Sequence, residues 1–263
     1  MTTAPSAISI LSYNIHKGFS AGKRRFVLRE MKEAIGTLAP DIVFLQEVHG
    51  EHRGHAERIA DWPKNPQAEF FAEALWPHFA YGKNRAYVDG HHGNALLSRY
   101  PIRTWQNVDV SAHRFEGRGL LHAEIDVPGL VDPLHAVCVH LGLSQVERRY
   151  QIQQIVRLVK EEIPSNGPLV VAGDFNDWSL RASKVLARTL HAHEIFKRHG
   201  GRHARTFPSF FPVLHLDRVY VRGFGVEKTQ VLSGKVWGKL SDHAALFAVL
   251  LPEAQAGDVH TTG

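Results

Sequence analysis

Apolar positions along the chain form two kinds of run. Segments 8–14, 41–48, 94–98, 120–127, 134–141, 169–173, 217–221 and 244–251 are short, rich in β-branched or aromatic residues, and mostly closed by Gly, Pro or Asp, so they predict strands. Between some of them the spacing changes to that of a helix. In segment 145–163, Ile152, Ile155, Val156, Val159 and Ile163 share one face; Ser144, with Glu147 three residues on, predicts a capping box, and Pro164 and Gly167 stop the pattern. In segment 24–38 a stripe of Val27, Leu28, Met31, Ile35 and Leu38 ends before Pro40, which disfavours helical geometry at Ala39. Further helical patterns cover 69–76 and 180–191. Strands alternating with helices, together with strand pairs joined by turns alone, predict a layered α/β architecture with mixed sheets. No internal repeat or linker divides the chain, so residues 1–253 are expected to form one domain. Residues 254–263 lack apolar periodicity and are expected to be a disordered tail.

Composition narrows the classes. The 263 residues are 44% hydrophobic and 22% charged, enough apolar material for one large core. Cys138 is the only cysteine, which excludes a disulfide framework. Residues 1–9 show neither the basic stretch nor the apolar core of a signal peptide, and no run reaches about 18 apolar residues. A monomeric, cytoplasmic protein without a transmembrane segment is expected. The net charge of +5 favours polyanionic partners, although cations so dispersed fit a solvated surface equally well.

The chemistry is carried by a repeated pattern in which an apolar strand delivers an acid or amide at its C-terminal end, where α/β folds build active sites. Segment 8–13 leads to Asn14, segment 41–46 to Glu47, and segment 168–173 to Asp174 and Asn176; Leu240-Ser241 introduces Asp242-His243. Asp174 and Asn176, two apart, are expected on one side. Hard divalent cations need oxygen ligands, and Glu47 with Asp242 or Asp174 suits that need; no thiolate cluster exists to prefer zinc.

At these residues the sequence resembles the endonuclease/exonuclease/phosphatase family. The resemblance rests on an ordered series from about Ile8 to Leu251: Ser12-Tyr13-Asn14, Leu45-Gln46-Glu47-Val48, Gly93-Asn94-Ala95-Leu96-Leu97-Ser98-Arg99, Val139-His140-Leu141, Gly173-Asp174-Phe175-Asn176, Leu216-Asp217-Arg218-Val219 and Ser241-Asp242-His243. Within that family the segments Ile15-His16-Lys17-Gly18-Phe19, Gly90-His91-His92-Gly93-Asn94 and Asp174-Phe175-Asn176-Asp177-Trp178 resemble the bacterial YbhP-like branch. The resemblance implies a four-layered α/β sandwich of two packed mixed β-sheets flanked by helices, and a metal-dependent phosphodiesterase. It assigns Glu47 as principal ligand for Mg²⁺, with Mn²⁺ as the alternative, Asn14 beside it and Asp242 as an additional ligand. Asp174 would orient or deprotonate the attacking water and Asn176 would hold a phosphate oxygen. His243 would face the scissile phosphate with Asp217 fixing its tautomer, and His140 would serve leaving-group protonation or phosphate binding. Asn94 is a candidate to orient His140 and to bind substrate. Arg118, between two glycines, is a second substrate-binding candidate, and Arg148 and Gln151 resemble a family feature that supports the active-site loops.

The resemblance leaves the substrate open. Nucleic acid, DNA or RNA, is the first expectation, and a lipid headgroup or small phosphodiester the alternative, because residues 207–212 contain three phenylalanines that form either a packed loop or an apolar membrane surface. A non-catalytic scaffold would have lost one of the site residues, and none is lost. His49, His52 and His55 recur every third residue, but Gly50 and Gly54 disfavour the helix that would align them, so a solvated loop rather than a zinc site is expected there. His91-His92 carries the same ambiguity. Trp62, Trp76 and Trp178 are expected to be packing residues rather than base-stacking platforms, with Trp178, close to Asn176, kept as a stacking candidate.

Overall fold

The computed structural model describes residues 6–23, 25–73 and 75–253. In chain order its first half comprises β1 (Ile8–Asn14), α1 (Leu28–Leu38), β2 (Ile42–His52), α2 (Arg53–Arg58), α3 (Gln67–Ala72), β3 (His78–Tyr87), β4 (Gly90–Ser98), β5 (Ile102–Asp109) and β6 (Gly119–Ile125). There follow β7 (Leu134–His140), α4 (Gln145–Glu162), β8 (Leu169–Asp174), α5 (Arg181–Leu190), β9 (His193–Glu194), α6 (Ile195–Gly200), β10 (Asp217–Arg222), β11 (Phe224–Leu232) and β12 (Ala245–Pro252). The tail expected at 254–263 lies outside the described residues.

Among the described residues the strands form two six-stranded sheets, in the orders β11-β12-β1-β2-β4-β3 and β5-β6-β7-β8-β10-β9. Both are mixed: β1 runs parallel to β2 and antiparallel to β12, and β7 runs parallel to β8, which is antiparallel to β10. The inner faces meet in a buried apolar layer that includes Ile10, Phe44, Leu96, Cys138, Val170 and Leu246. On the outer face of the first sheet, Leu28, Met31 and Ile35 of α1 and Phe71 of α3 join Leu11, Val43 and Leu97. On the outer face of the second, Ile155 and Val159 of α4 and Leu186 of α5 cover Val137, Val171 and Tyr220. The result is an α/β sandwich of four layers, helices outside and sheets inside. Alternation along each strand supplies one side chain to each layer, and full burial of a Leu, Ile or Phe contributes about 1.5–3 kcal/mol.

Helix α4 begins with the expected box: Ser144 Oγ accepts from Glu147 N, and Glu147 Oε2 accepts from Ser144 N. Helix α1 starts at Leu28, later than its apolar stripe suggests, and ends where Ala39 turns left-handed (φ 44°) before Pro40. Strands β3, β5 and β11 have no counterpart in the apolar runs. They are edge or near-edge strands carrying Lys83, Arg85, Arg103 and Lys228, the charges that protect open sheet edges and erase the alternating pattern. Helix α3 stops at Ala72, short of the expected 76, while Trp76 is buried beyond it and donates from Nε1 to Pro40 O at 2.7 Å.

Candidate active site

The parallel pairs bring strand ends from both sheets to one edge of the sandwich. In the second sheet His140 stands in register with Asp174, which is in register with Asp217 on its other side. Asn14 ends β1 in the first sheet, and its Nδ2 crosses to donate to Asp174 Oδ2 at 3.2 Å. Gly173 permits this closeness. Its φ is +146°, and a Cβ there would stand 1.9 Å from Val139 O on β7, so a side chain just before Asp174 would force the two strands apart.

Asp174 Oδ2 is the hub. Besides Asn14 it has His140 Nε2 at 3.6 Å and His243 Nε2 at 3.8 Å, while Oδ1 accepts from Asn176 N at 2.9 Å. Burial, and then Asp217, push the Asp174 carboxyl up despite the pull of His243. His243 Nδ1 lies 2.8 Å from Asp217 Oδ2. Burial would favour the neutral ring, but Asp217 and Asp174 override it and hold His243 well above the ordinary histidine range. His140 goes the other way: burial and then Arg118 keep it neutral, and Arg118 Nη1 donates to His140 Nδ1 at 3.4 Å, which leaves Nε2–H facing Asp174. Two histidines about one carboxylate therefore hold opposite charge states, one a cation and one a neutral donor.

Glu47 is delivered by a distortion. The β2–β4 register shifts between Leu45 and Val48, and Glu47 adopts φ 57° inside an otherwise extended strand. A bulge of this kind re-aims one side chain, and left-handed backbone at a non-glycine residue costs about 1–3 kcal/mol that surrounding structure must offset. Glu47 Oε2 is buried and paired with Lys17 Nζ at 3.2 Å. Burial would raise this carboxyl, yet nearby His140 and Lys17 hold it well below the usual carboxylate range. On the other side of the same turn, His16 Nδ1 lies 3.4 Å from Asp242 Oδ1. His16 and Lys17 both have positive φ, and His16 N donates to Asn14 Oδ1 at 3.0 Å. No role for this pair was legible in the sequence. The available signal was Gly18, with φ +83°, closing a tight turn directly after Asn14.

The remaining candidates divide. Asn176, φ 48°, donates from Nδ2 to Leu141 O at 2.9 Å and so lies against the loop after His140. Asn94 is 0% exposed; its Nδ2 is given to Gly119 O and Cys138 O, strand carbonyls beneath the site rather than His140. Arg148 donates to Gly142 O and Leu143 O, and Gln151 Oε1 accepts from Gly142 N at 2.7 Å, so both brace that loop. Ser241 Oγ donates to Asn14 O at 2.7 Å and accepts from His243 N, stitching the last segment to the first strand. In the loop before Asp217, Ser209 is buried and the Phe207 ring lies 5.1 Å from the His243 ring, but Phe210 and Phe211 are 73% and 70% exposed. Trp178, 54% exposed, lies under the Arg148 guanidinium.

Two groupings of oxygen atoms compete for a hard cation. Asp174, Asp217 and His243 bring ligand atoms within 4.8 Å of one another, with the His243 ring bonded through Nδ1 to Asp217. Glu47, with its buried Oε2 facing Lys17 Nζ, together with the Asn14 amide and the half-exposed Asp242 carboxylate, supplies oxygen donors of the kind that could hold a hard divalent cation.

The chain belongs to the endonuclease/exonuclease/phosphatase family, whose model matches residues 11–243. It is 45% identical over 246 residues to Uncharacterized protein YbhP of Escherichia coli (strain K12), covering 94% of this chain and 97% of that protein. Among solved structures it shares the fold of an endonuclease/exonuclease/phosphatase from Beutenbergia cavernae DSM 12333, with TM-score 0.73, 20% identity, and 94% and 72% of the two chains covered. It shares the fold also with D. rerio TDP2 complexed with single strand DNA product, with TM-score 0.67, 18% identity, and 93% and 99% covered.

Proposed function

We propose that the protein is a metal-dependent phosphodiesterase that cleaves nucleic-acid strands by in-line attack of water. The observation that carries the reading is the convergence on Asp174 Oδ2 of an amide, a neutral imidazole and a charged imidazole, together with the buried Glu47 carboxylate paired to Lys17. Glu47, with Asn14 and Asp242, would hold Mg²⁺ or Mn²⁺. When bound, such an ion supplies Lewis-acid charge at a phosphoryl oxygen.

The protein side chains divide the rest. Asp174 orients the attacking water and receives its proton, within a frame set by Asn14 and Asn176. His243, held as a cation by Asp217, stabilises the charge that builds on the phosphorane oxygens. His140 donates a hydrogen bond from Nε2–H to the departing oxygen and keeps its proton, its other nitrogen being fixed by Arg118, while the departing oxygen takes a proton from solvent. Asn176 presents its amide to a phosphate oxygen.

Nucleic acid is favoured as substrate by the net charge of +5, which suits a polyphosphate backbone, and the D. rerio TDP2 of like fold is described with a single strand DNA product. A cleft of about 780 Å³ along α5 and α6, lined by Lys184, Arg188, Lys197 and Arg202 but also by Glu194 and apolar surface, includes none of the site residues. A lipid-headgroup reading is supported by one observation, the exposed Phe210 and Phe211 on the loop that touches His243. Among the described residues no helix is long and apolar enough to cross a membrane. The test is turnover of single-stranded DNA, duplex DNA, abasic duplex, RNA, and phosphatidyl and sphingomyelin vesicles, with Mg²⁺, Mn²⁺ or chelator. Metal-dependent cleavage of a nucleic acid is expected. Turnover of the vesicles alone would replace the nucleic-acid reading with the lipid one, and activity unchanged in chelator would end the metal mechanism.

A further inference from the structure

A second convergence of ligating side chains lies where β2 leaves its sheet. His49 and His52 are on β2 and His55 is in α2. Three residues apart on a regular strand, His49 and His52 would point to opposite faces. The β2–β4 register shifts between them, and their ring centroids come within 4.9 Å. Immediately beyond, the chain turns into α2 and lays His55 on His52, centroids 3.7 Å apart and planes 24° from parallel. One ring nitrogen from each of the three lies within 4.8 Å of the others. The helix that Gly50 and Gly54 disfavour is not needed, because a bulged strand end followed by a helix start achieves the same convergence.

The innermost ring is prepared for a ligand. His49 is 2% exposed; its Nδ1 lies 2.8 Å from Tyr87 Oη, and its Nε2 is buried with no hydrogen-bond partner. An imidazole anchored through one nitrogen by a polar group, with the other nitrogen bare, is the arrangement of a metal-binding histidine and its outer partner. A buried ring nitrogen left unpaired is otherwise a penalty without compensation. His52 and His55 are half-exposed and give an ion access from solvent, while the Trp62 ring stands against all three imidazoles at 5.0–6.0 Å. His52 now uses Nδ1 to accept the His55 N–H at 3.1 Å. To ligate through Nε2 it must carry its proton on Nδ1, so uptake of a metal gives up one cap hydrogen bond of a six-residue helix.

We propose that His49, His52 and His55 form a transition-metal site of the Zn²⁺ class, separate from the phosphoester site, with its fourth position open to water. Three neutral imidazoles without carboxylate or thiolate select borderline dications, Zn²⁺ foremost with Ni²⁺ and Cu²⁺ as competitors, and disfavour Mg²⁺. The ion would tie the end of β2 to α2 two residues beyond Glu47. The inference does not depend on the phosphodiesterase reading.

The test is Zn²⁺ uptake by untagged protein dialysed in excess Mg²⁺, which keeps hard-ligand sites filled, followed by metal analysis. About one equivalent per chain is expected for the wild type and for Asp174→Asn, and none for His52→Gln/His55→Gln, whose replaced side chains are half-exposed and outside the core. Co²⁺ in place of Zn²⁺ should give the visible bands of a four-coordinate ion without thiolate charge transfer. Thermal melting should rise with Zn²⁺ in the wild type and not in the double variant. Wild-type protein that takes up no Zn²⁺ under these conditions would overturn the proposal without any variant having to fold. Uptake in the double variant equal to that of the wild type would overturn it as well.

Discussion

Asp217 Oδ2 lies 2.8 Å from His243 Nδ1, and this bond spans the two sheets: Asp217 opens β10 in the second, and His243 leads into β12 in the first. It sets the tautomer and the charge of the imidazole that faces Asp174. Asp217→Asn keeps the shape but removes the charge that holds the proton on His243. With a chromogenic phosphodiester, kcat is expected to fall by about 10³–10⁴ with little change in KM, the scale seen when a histidine loses its orienting carboxylate. A comparable rise in KM with kcat intact would place the pair in binding instead.

Glu47→Gln leaves the bulge and the side-chain volume in place while removing the negative charge. Turnover is expected to drop by at least about 10², and the Mg²⁺ concentration needed for half-maximal rate to rise. Circular dichroism should show the fold retained, which separates loss of a ligand from loss of structure.

His140 and its Arg118 partner are expected to act on the leaving group. His140→Ala should slow cleavage of an alkyl phosphodiester by about 10², yet barely affect a nitrophenyl ester, whose leaving group carries its negative charge without a hydrogen-bond donor. Equal losses on both substrates would assign His140 to phosphate binding.

Stability should hinge on a buried ion pair beneath the site. Arg218 is fully buried, with Nη1 3.3 Å from Asp177 Oδ2 and further bonds to Asp177 O and His215 O. Asp177→Ala strands that guanidinium and is expected to destabilise the protein by about 3–5 kcal/mol, read from denaturant unfolding. Replacing Arg218 by Met in the same chain should recover part of the loss.

A pH dependence follows from a histidine pair far from the site. His122 on β6 and His135 on β7 are buried with Nε2 and Nδ1 3.1 Å apart. Burial and then His135 push His122 down from 6.5 to about 4, and burial lowers His135. A depressed folded-state value favours the neutral ring, so the stability this pair contributes is complete above pH 6.5 and is lost as pH falls toward 4. The loss should reach about 3 kcal/mol at most, softened by Glu162 Oε2 at 3.6 Å from His122 Nδ1. Melting curves across this window should fall more steeply for wild type than for His122→Gln.

Central strands and their acidic ends were legible because β1, β7, β8 and β10 are buried on both faces almost throughout and appear as short runs dominated by apolar residues. Helix α4 was legible through its cap and stripe. Edge strands were not, since the lysines and arginines that keep β3 and β11 from pairing with other chains also hide their period. The chemical identity of Glu47, Asp174 and His243 could be read, whereas the positive φ that aims Glu47 and the placement of His16 and Lys17 depend on backbone distortions that no apolar pattern encodes. His49, His52 and His55 illustrate the same limit: a helical test of their spacing fails, because a strand bulge does the aligning.

The crossing of Asn14 from the first sheet to Asp174 in the second has a consequence for how the protein fails. Neither sheet alone contains the full set of candidate groups, so the proposed activity would report the docking of the two halves rather than the integrity of either. Under mild denaturation, inactivation should precede loss of far-ultraviolet ellipticity, because a slip of one sheet against the other abolishes the constellation while every strand remains paired.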